Sequence, residues 1–490
     1  MYYIGVDLGT SAVKLLLTDN QGNIKNCISK EYPIYFPAPN YSEQNPTDWY
    51  NAVIDGLREL IGDDYGSLVN GISFSGQMHG LVILDKDDNV IRPAILWNDG
   101  RTTKECDYLN NSVGIDTLAV NTANIALTGF TAPKLLWVKN NEPENFAKIA
   151  KIMLPKDYIA YMLSGVFASD VSDASGTLLF DVKNRCWSDT MIDIVGINKD
   201  MLPTIHESSD VIGTIKKELS DKLKLNPETA IVIGGGDQAV GAVGTGTVGN
   251  GRCCVSLGTS GVVFAASDTF GMKPETTLHS FCDANRHYHY MGVMLSAAAS
   301  NKWWCDEILK TNDYGAEQKN ISTLGHNNVF YLPYLMGERT PLNDPYARGT
   351  FVGMSMNTTR EDMTLAVLEG VAFALRDSFE LIKSLGVNID RVRINGGGAK
   401  SPLWKKIIAN VFNVHVDTIN SEEGPAFGAA ILAMTGCGAY PDVVTATDSL
   451  IKVVGSVSPD TELVELYNKQ YAKFKKIYPA LKPIYKELAD

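Results

Sequence analysis

Residues Ile231–Gly261 read IVIGGGDQAVGAVGTGTVGNGRCCVSLGTSG, and this stretch decides the fold. Its first part predicts a strand at Ile231–Ile233, then three glycines, Asp237 and a helix of small residues over about 238–243. An acid that directly precedes a helix lies beside free amide donors and the positive end of the helix dipole. Asp237 is therefore expected to favour its charged form unless burial opposes this. The simplest interpretation is that Asp237 only caps the helix.

The second part of the stretch predicts a strand at Cys253–Leu257 that turns sharply at Gly258-Thr259-Ser260-Gly261. Such a tip can offer N–H and O–H groups to an anion, although a plain hairpin turn explains it equally well. The chain begins with the same pattern, because two predicted strands flank Gly9-Thr10-Ser11. The repetition predicts a duplicated structure. Only the first hairpin has a carboxylate, Asp7, just before its tip, which suits a nucleotide held between two lobes with its metal on one side.

At 490 residues the chain is too long for one ordinary core, so two domains or one large duplicated unit are expected. A hydrophobic content of 45% and a charged content of 20% are typical of a soluble globular protein. The net charge of -13 argues against nucleic acid and anionic membranes, because both attract positively charged surfaces. Eight scattered cysteines without CxxC spacing predict reduced thiols and a cytoplasmic location. No signal peptide is predicted, because the sequence does not open on a basic leader.

Three other predicted strands end in polar or glycine-rich segments. These segments are Gln77-Met78-His79-Gly80, Asn98-Asp99-Gly100-Arg101 after Trp97, and Gly396-Gly397-Gly398-Ala399 after the strand Arg391–Asn395. In an open α/β sheet the carboxyl ends of strands line the ligand site. From the spacing alone, however, His79 is equally a turn histidine and Trp97 equally a core aromatic residue. Neither a GxGxxG with its following acid nor a GxxxxGK[ST] is present, so a Rossmann site and a P-loop are not expected.

Five helices are predicted from apolar spacing or small residues. They lie at Pro46–Ile61, Arg360–Leu385, Pro402–Phe412, Glu423–Gly436 and Thr461–Ile477. The small-residue helix Glu423–Gly436 is expected at the interface between the two domains, where it would let them slide or hinge. A polar loop at 337–349 either lines the cleft or is a solvated loop.

The motifs share a fixed order along most of the chain. They are Asp7-Leu8-Gly9-Thr10-Ser11 with Lys14, Gln77-Met78-His79-Gly80, Trp97-Asn98-Asp99-Gly100-Arg101, Gly235-Gly236-Asp237-Gln238, Leu257-Gly258-Thr259-Ser260-Gly261, Gly337-Glu338-Arg339-Thr340-Pro341 and Asn395-Gly396-Gly397-Gly398-Ala399. In this order and spacing the sequence resembles the FGGY carbohydrate kinases. The resemblance covers nearly the whole chain and depends on the full set rather than on any one motif.

The resemblance implies an α/β protein with the two-lobed fold of actin, hexokinase and Hsp70, a duplicated ribonuclease H-like fold with an ATP cleft between the domains. The expected domains are residues 1–246, with the sugar site, first hairpin and catalytic acid, and residues 247–490, with the second hairpin and adenosine site. Asp237 would be the catalytic base, and Asp7 would hold Mg²⁺ directly or through water. The sugar contacts would be Met78, His79, Trp97, Asp237 and Gln238, and the ATP contacts would be Thr10, Ser11, Lys14, Gly258, Thr259, Gly398 and Ala399.

The implied reaction is ATP-dependent phosphorylation of D-xylulose to D-xylulose 5-phosphate, because Met78-His79-Gly80 is similar to the signature of family members that act on this sugar. The nearest alternative is a related kinase for another ketose or polyol, such as ribulose, a deoxyketose or glycerol. A non-catalytic ATP-driven binding module and a sugar-sensing pseudo-kinase are further alternatives, but Asp7 and Asp237 supply both the metal acid and the base of an enzyme. The expected partners are the sugar, ATP and Mg²⁺, without nucleic acid or membrane, and a homodimer is common in such kinases.

Overall fold

The computed structural model describes residues 1–421 and 423–488 and contains two large mixed sheets. The strands of the first sheet are β1 (Tyr2–Leu8), β2 (Ala12–Asp19), β3 (Ile24–Glu31), β4 (Val69–Gly76), β5 (Val211–Thr214) and β6 (Ala230–Gly236). Their spatial order is β5-β6-β4-β1-β2-β3. The central strands β6, β4 and β1 are parallel, and the other pairs are antiparallel.

The second sheet repeats this arrangement. Its strands are β7 (Cys253–Leu257), β8 (Gly261–Ser267), β9 (His279–Cys282), β10 (Tyr288–Met294), β11 (Arg391–Asn395), β12 (His415–Ile419) and β13 (Val453–Val457). Their spatial order is β9-β10-β8-β7-β11-β12-β13, with β7, β11 and β12 parallel. The hairpin β7–β8 therefore corresponds to the hairpin β1–β2, which confirms the predicted duplication and the two-lobed α/β fold.

Six helices position the sheets and the site. They are α1 (Pro46–Ile61), α2 (Asp237–Gly244), α3 (Arg360–Lys383), α4 (Pro402–Phe412), α5 (Gly424–Gly436) and α6 (Thr461–Glu487). The bounds of β7, β11, α1 and α4 are those predicted from the sequence. Within the described part of the chain, no helix is both long enough and apolar enough to cross a membrane.

Shorter elements complete both lobes. Those of the first lobe are the strands Glu43–Gln44, Val82–Leu84, Ala94–Ile95, Lys151–Met153, Ala168–Asp170, Phe180–Asp181, Cys186–Trp187 and Thr204–His206, and the helices Thr103–Asp107, Tyr108–Gly114, Ile115–Thr122, Thr131–Asn141, Pro143–Phe146, Pro155–Ser164, Val171–Ala174, Asp189–Val195 and Lys217–Leu223. Those of the second lobe are the strands Phe330–Leu332 and Thr350–Val352 and the helices Ala298–Trp303, Trp304–Leu309, Tyr314–Lys319 and Val443–Leu450.

Helices α2 and α5 join the lobes through a contact between glycines. A Cβ atom added to Gly244 would lie 1.9 Å from the carbonyl oxygen of Gly424, and one added to Gly428 would lie 1.9 Å from the carbonyl oxygen of Val240. Helix α5 also lies against β1, where a Cβ atom on Gly5 would be 1.9 Å from a carbonyl oxygen of α5. Only glycine lets the backbones come this close. The small-residue helix therefore occupies the interface at which it was expected.

The predicted end of α6 at Ile477 is wrong, because the helix continues to Glu487. Two prolines lie inside the added part, and each removes a helical N–H donor. The buried hydroxyl groups of Tyr478 and Tyr485 form hydrogen bonds of 2.7 Å and 2.9 Å to side chains elsewhere in the second lobe. These tertiary contacts stabilise the helix beyond the prolines, and the local sequence does not reveal them.

Replacing Gly428 with alanine is expected to lower the melting temperature, because the new methyl group would overlap the backbone of α2. Overpacking of this kind typically costs about 1–3 kcal/mol of unfolding free energy. Thermal unfolding followed by circular dichroism measures the shift. Gly455→Ala in the exposed strand β13 is the matched control, because a Cβ atom there would meet no atom within 4 Å. Equal melting temperatures of the two variants would contradict the glycine requirement.

Candidate active site

The parallel strands β1, β4 and β6 end side by side and bring two carboxylates together. Asp7 in β1 pairs with Ser75 of β4 on one side and with Lys14 of β2 on the other. Gly236 pairs with Gly76 at the end of β6, and the next residue, Asp237, begins α2. The two acids are close enough for the charge of Asp7 to raise the pKa of Asp237. The structure therefore brings together the predicted metal acid and the predicted base.

Burial raises the pKa of Asp237 to about 7, and the negative charge of Asp7 adds to the rise. Hydrogen bonds from Gln238 oppose it, including one from the side-chain amide to Asp237 Oδ1 at 3.3 Å. Asp237 keeps some exposure to solvent, but the surrounding protein removes most of the water that would stabilise its charge. Burial thus opposes the effect of the helix N-terminus, and the carboxylate can exchange a proton near neutral pH.

Asp7 shares this environment. Burial raises its pKa, while the neighbouring Ser75 hydroxyl and the charge of Lys14 lower it. Lys14 also forms an ion pair with Glu423, which directly precedes α5. The lysine predicted to bind phosphate therefore lies between an acid of the first lobe and an acid at the start of the helix that joins the lobes.

The tip of the first hairpin is held by side chains from other segments. The Gln44 amide donates to the carbonyl oxygen of Thr10 at 2.7 Å, and the Trp97 indole N–H donates to Thr10 Oγ1 at 3.0 Å. Ser11, the residue after Thr10, is exposed. Trp97 is 42% exposed, so it is not a core aromatic residue. Its indole instead links the segment that contains Trp97 to the predicted phosphate-binding tip through the hydrogen bond to Thr10.

The tip of the second hairpin faces a large cavity. Its backbone accepts hydrogen bonds from the segment that begins the helix Ala298–Trp303, with the Ala298 N–H donating to the carbonyl oxygen of Gly258 at 2.9 Å. Thr259 is exposed at the tip. A cavity of about 1420 Å³ is lined by this tip together with Gly398, Trp303 and Trp404. Ala399 follows Gly398, is partly exposed and packs against the core of the second lobe, and it is not among the residues that line the cavity.

Met78 lies beside the turn that carries Asp237, and His79 is the next residue along the chain. A Cβ atom added to Gly236 would lie 2.9–3.1 Å from Met78 side-chain atoms, so Met78 packs against the residue before Asp237. His79 has a φ of 70°, and its Nδ1 lies 2.6 Å from the carbonyl oxygen of Gly176. Because a carbonyl oxygen can only accept, Nδ1 carries the proton and Nε2 is left as an acceptor. Burial lowers the pKa of His79 to about 3, so the ring is neutral.

Two cations near His79 were not predicted as site residues. Lys134 is fully buried, and its ammonium group donates to the carbonyl oxygens of His79 at 2.8 Å and Gly129 at 2.7 Å. Burial lowers the pKa of Lys134 to about 7. Arg339, in the polar loop 337–349, is near enough for its charge to lower the pKa of His79. The loop that carries Arg339 was predicted as a candidate lining of the cleft. Lys134 was not predicted, because a lysine in a helix is expected at the surface.

A buried aromatic group joins this region to the second sheet. It consists of His79, His279, His289, Phe130 and Phe281, with ring centroids of His79 and Phe130 4.7 Å apart and those of His279 and Phe281 5.2 Å apart. The ring of His289 lies edge-on to Phe281 at 5.7 Å. Burial lowers the pKa of His289 to about 3 and that of His279 well below its usual value. All three imidazoles are therefore neutral near pH 7.

Comparison with known proteins matches both halves of the chain to one family. Residues 2–244 match the FGGY family of carbohydrate kinases, N-terminal domain, and residues 253–437 match its C-terminal domain. A xylulose kinase of Escherichia coli (strain K12) is 39% identical over 489 residues, which cover 98% of this chain and 99% of that protein.

Solved structures share the backbone over almost the full length. A ligand-bound xylulose kinase from Lactobacillus acidophilus superimposes with a TM-score of 0.94 at 28% identity and covers 99% of both chains. A gluconate kinase from Lactobacillus acidophilus has the same TM-score, identity and coverage. Backbone similarity therefore identifies the fold but does not distinguish between the two sugars named for these proteins.

Acid is expected to destabilise the protein through the buried histidines. In the unfolded chain His289 takes up a proton below its ordinary pKa of 6.5, whereas in the folded protein it does so only near 3. Its contribution is therefore fully present above about pH 6.5 and falls as the pH drops, by about 2 kcal/mol at about pH 5. Thermal unfolding at about pH 7.5 and about pH 5 measures the loss. His289→Gln cannot titrate and should lose less stability between these pH values; an equal loss would refute the assignment.

Proposed function

The chain belongs to the FGGY family of carbohydrate kinases, and we propose that it transfers the γ-phosphoryl group of ATP to the terminal hydroxyl of D-xylulose, giving D-xylulose 5-phosphate. The observation that carries this proposal is the position of Asp237. This carboxylate has a pKa of about 7, begins α2 and directly follows the residue on which Met78 packs. Removal of a proton from a sugar hydroxyl needs a base with a pKa near the working pH.

Two observations favour D-xylulose among the sugars. Met78 packs beside the Asp237 turn, and Nε2 of the adjacent His79 is left as an acceptor that suits a sugar hydroxyl. A relative that matches almost the whole chain at 39% identity is a xylulose kinase. The alternative is a kinase for ribulose, a deoxyketose or glycerol. Backbone similarity does not exclude it, because a gluconate kinase superimposes on this chain with the same TM-score as a xylulose kinase. The presence of both Asp7 and Asp237 argues against a non-catalytic binding module.

In the proposed reaction Asp237 accepts the proton of the terminal hydroxyl while that oxygen attacks the γ-phosphorus in line with the leaving oxygen of ADP. One P–O bond forms to the sugar and one breaks to ADP. Met78, His79, Trp97 and Gln238 would orient the sugar, so that the attacking oxygen lies within hydrogen-bond distance of the base. The raised pKa of Asp237 makes it a stronger proton acceptor than an ordinary aspartate.

The nucleotide is assigned to the two hairpin tips and the large cavity. Its phosphates would contact Thr10, Ser11 and Lys14 of the first lobe and Gly258 and Thr259 of the second. Gly398 and Ala399 would lie against the adenosine, beside the cavity of about 1420 Å³. Lys14 would then exchange its ion pair with Glu423 for a phosphate oxygen.

The residues at the end of β1 fit Mg²⁺. Asp7 offers carboxylate oxygens, the donors that Mg²⁺ prefers, and it lies beside a second acid, Asp237, in surroundings that raise the pKa of both. A cation stabilises two neighbouring carboxylates in their charged forms. We therefore assign Asp7 as the residue that holds Mg²⁺, directly or through water, and the bound ion would neutralise charge on the phosphates.

The remaining expectations also stand as proposals. We place the boundary between the domains at residues 246 and 247, between α2 and β7. A cytoplasmic location fits the eight cysteines, all of which are free thiols and lie in the described part of the chain. A homodimer stays a prediction, which light scattering coupled to size-exclusion chromatography would test.

A sugar panel with ATP and Mg²⁺, read by coupled ADP release, tests the function. D-Xylulose is expected to have the highest kcat/KM, above ribulose, a deoxyketose, gluconate and glycerol. Asp237→Asn keeps the size of the side chain but removes the base, and it should lower kcat by about 10²- to 10⁴-fold with little change in sugar affinity. A different best sugar would exclude the xylulose assignment. An Asp237→Asn rate within a few-fold of the parent would exclude the base.

The rate is expected to depend on pH through Asp237, because only its ionised form can accept the proton. Its pKa of about 7 applies without Mg²⁺, and an ion bound at Asp7 would lower this pKa. With Mg-ATP, kcat/KM for the sugar should therefore be constant above neutrality and fall about tenfold per pH unit below a midpoint that lies at or below about pH 7. Initial rates at saturating ATP between about pH 5.5 and about pH 8.5 measure the profile. A rate that stays level to the acid end of this range would contradict the raised pKa.

A further inference from the structure

A chain of buried polar groups lies behind the turn that carries Asp237. The N–H of Gly236 donates to Ser172 Oγ at 3.1 Å, and the Ser172 hydroxyl donates to Asp170 Oδ2 at 2.6 Å. The other oxygen of Asp170 lies 3.0 Å from Lys156 Nζ. Lys156, Asp170 and Ser172 are fully buried, and we call these three residues the base-support network.

The base-support network is costly to bury. Lys156 Nζ also lies 2.5 Å from Asp157 and 3.8 Å from Asp173, so one lysine faces three carboxyl groups that have lost their water. Burial raises the pKa of Asp157 and that of Asp173. Taking an ion out of water is unfavourable even after relaxation, and apolar packing of similar volume would avoid this cost. Asp170 caps the four-residue helix Val171–Ala174, but capping alone does not require a buried lysine.

The turn fits tightly against the base-support network. A Cβ atom added to Gly235 would lie 2.5 Å from Ser172 Oγ, and one added to Gly236 would lie 2.9 Å from a Met78 side-chain atom. The turn is therefore enclosed by Ser172 on one side and by Met78 on the other. The Gly236 N–H thus forms a hydrogen bond to Ser172 at the residue directly before α2, and Asp237 is the first residue of that helix.

We propose that Ser172 is a positioning residue for Asp237, and that Asp170 and Lys156 hold Ser172 in the required orientation. The proposal rests on the proposed role of Asp237 as the base. A misplacement of about 1 Å can lower a rate about hundredfold, because the base must reach the sugar hydroxyl in the transition state. Lys156, Asp170 and Ser172 are fully buried behind the turn and do not face the substrate, so their loss is expected to lower turnover rather than sugar affinity.

Ser172→Ala removes the acceptor of the Gly236 N–H. We expect kcat to fall about tenfold to hundredfold, with KM for sugar and for ATP within about twofold of the parent. Ser208→Ala is the matched control, because the buried Ser208 hydroxyl donates to the same oxygen, Asp170 Oδ2, at 2.7 Å. The Gly236 N–H donates to Ser172 and not to Ser208, so Ser208→Ala should keep kcat within about twofold.

Hydrogen exchange read by mass spectrometry tests the same bond without any turnover. The peptide that covers residues 231–240 is expected to exchange faster in Ser172→Ala than in the parent and in Ser208→Ala. A parent protein that phosphorylates no sugar would refute the proposed function, whereas the exchange data would still report on the positioning of the turn. Ser172→Cys fills the same space with a weaker hydrogen-bonding group, and it should give an intermediate kcat if Ser172→Ala does not fold.

Three outcomes would overturn the proposal. One is an equal kcat for Ser172→Ala and Ser208→Ala at equal folded fraction, since this would mean that Ser172 is only structural. Another is a raised KM with an unchanged kcat, since this would place the effect on the substrate pocket. The third is unchanged exchange of the peptide 231–240 in Ser172→Ala.

Discussion

The contact between α2 and α5 is the constraint on which the rest of the structure depends. Gly244 and Gly428 bring the two backbones within a distance that no larger residue allows, and α5 also lies on β1 through Gly5. Helix α2 begins with Asp237, and β1 carries Asp7 near its end. The helix that joins the lobes is therefore packed against the elements that carry both acids, so a change in the angle between the lobes would act directly on the site.

The chemistry of the site depends on burial more than on hydrogen bonding. Asp237 stands at a helix N-terminus and accepts hydrogen bonds from Gln238, and both features favour a charged carboxylate. Burial and the neighbouring Asp7 outweigh them and raise its pKa to about 7. Lys134, whose ammonium group donates to the carbonyl oxygen of His79, and Lys156, in the base-support network, are both buried near residues proposed to contact the sugar. Lys134 contacts the His79 turn directly, whereas Lys156 is linked to the Asp237 turn through Asp170 and Ser172.

Much of the fold was predictable because it depends on local patterns. Strands on either side of glycine-containing tips identified the two hairpins, and apolar spacing placed α1 to the residue. The helix predicted after the glycine turn, α4, also has the predicted bounds. The end of α6 was predicted wrongly because its inner prolines are offset by hydrogen bonds of Tyr478 and Tyr485 to distant side chains. The sequence order of the motifs led to the FGGY carbohydrate kinases, and the family models confirm this membership over both halves.

The sequence by itself determined the duplicated hairpins, the helix that follows Asp237 and the small-residue helix at the interface, because each is encoded by neighbours along the chain. Only the tertiary structure decided the state of the acids and the identity of the groups that support them. Asp7 and Asp237 meet because the parallel strands β1, β4 and β6 end together, although the two residues are far apart in sequence. The pKa of Asp237, the buried lysines and the bond from Gly236 to Ser172 follow from desolvation and contacts between distant segments, which no local pattern records.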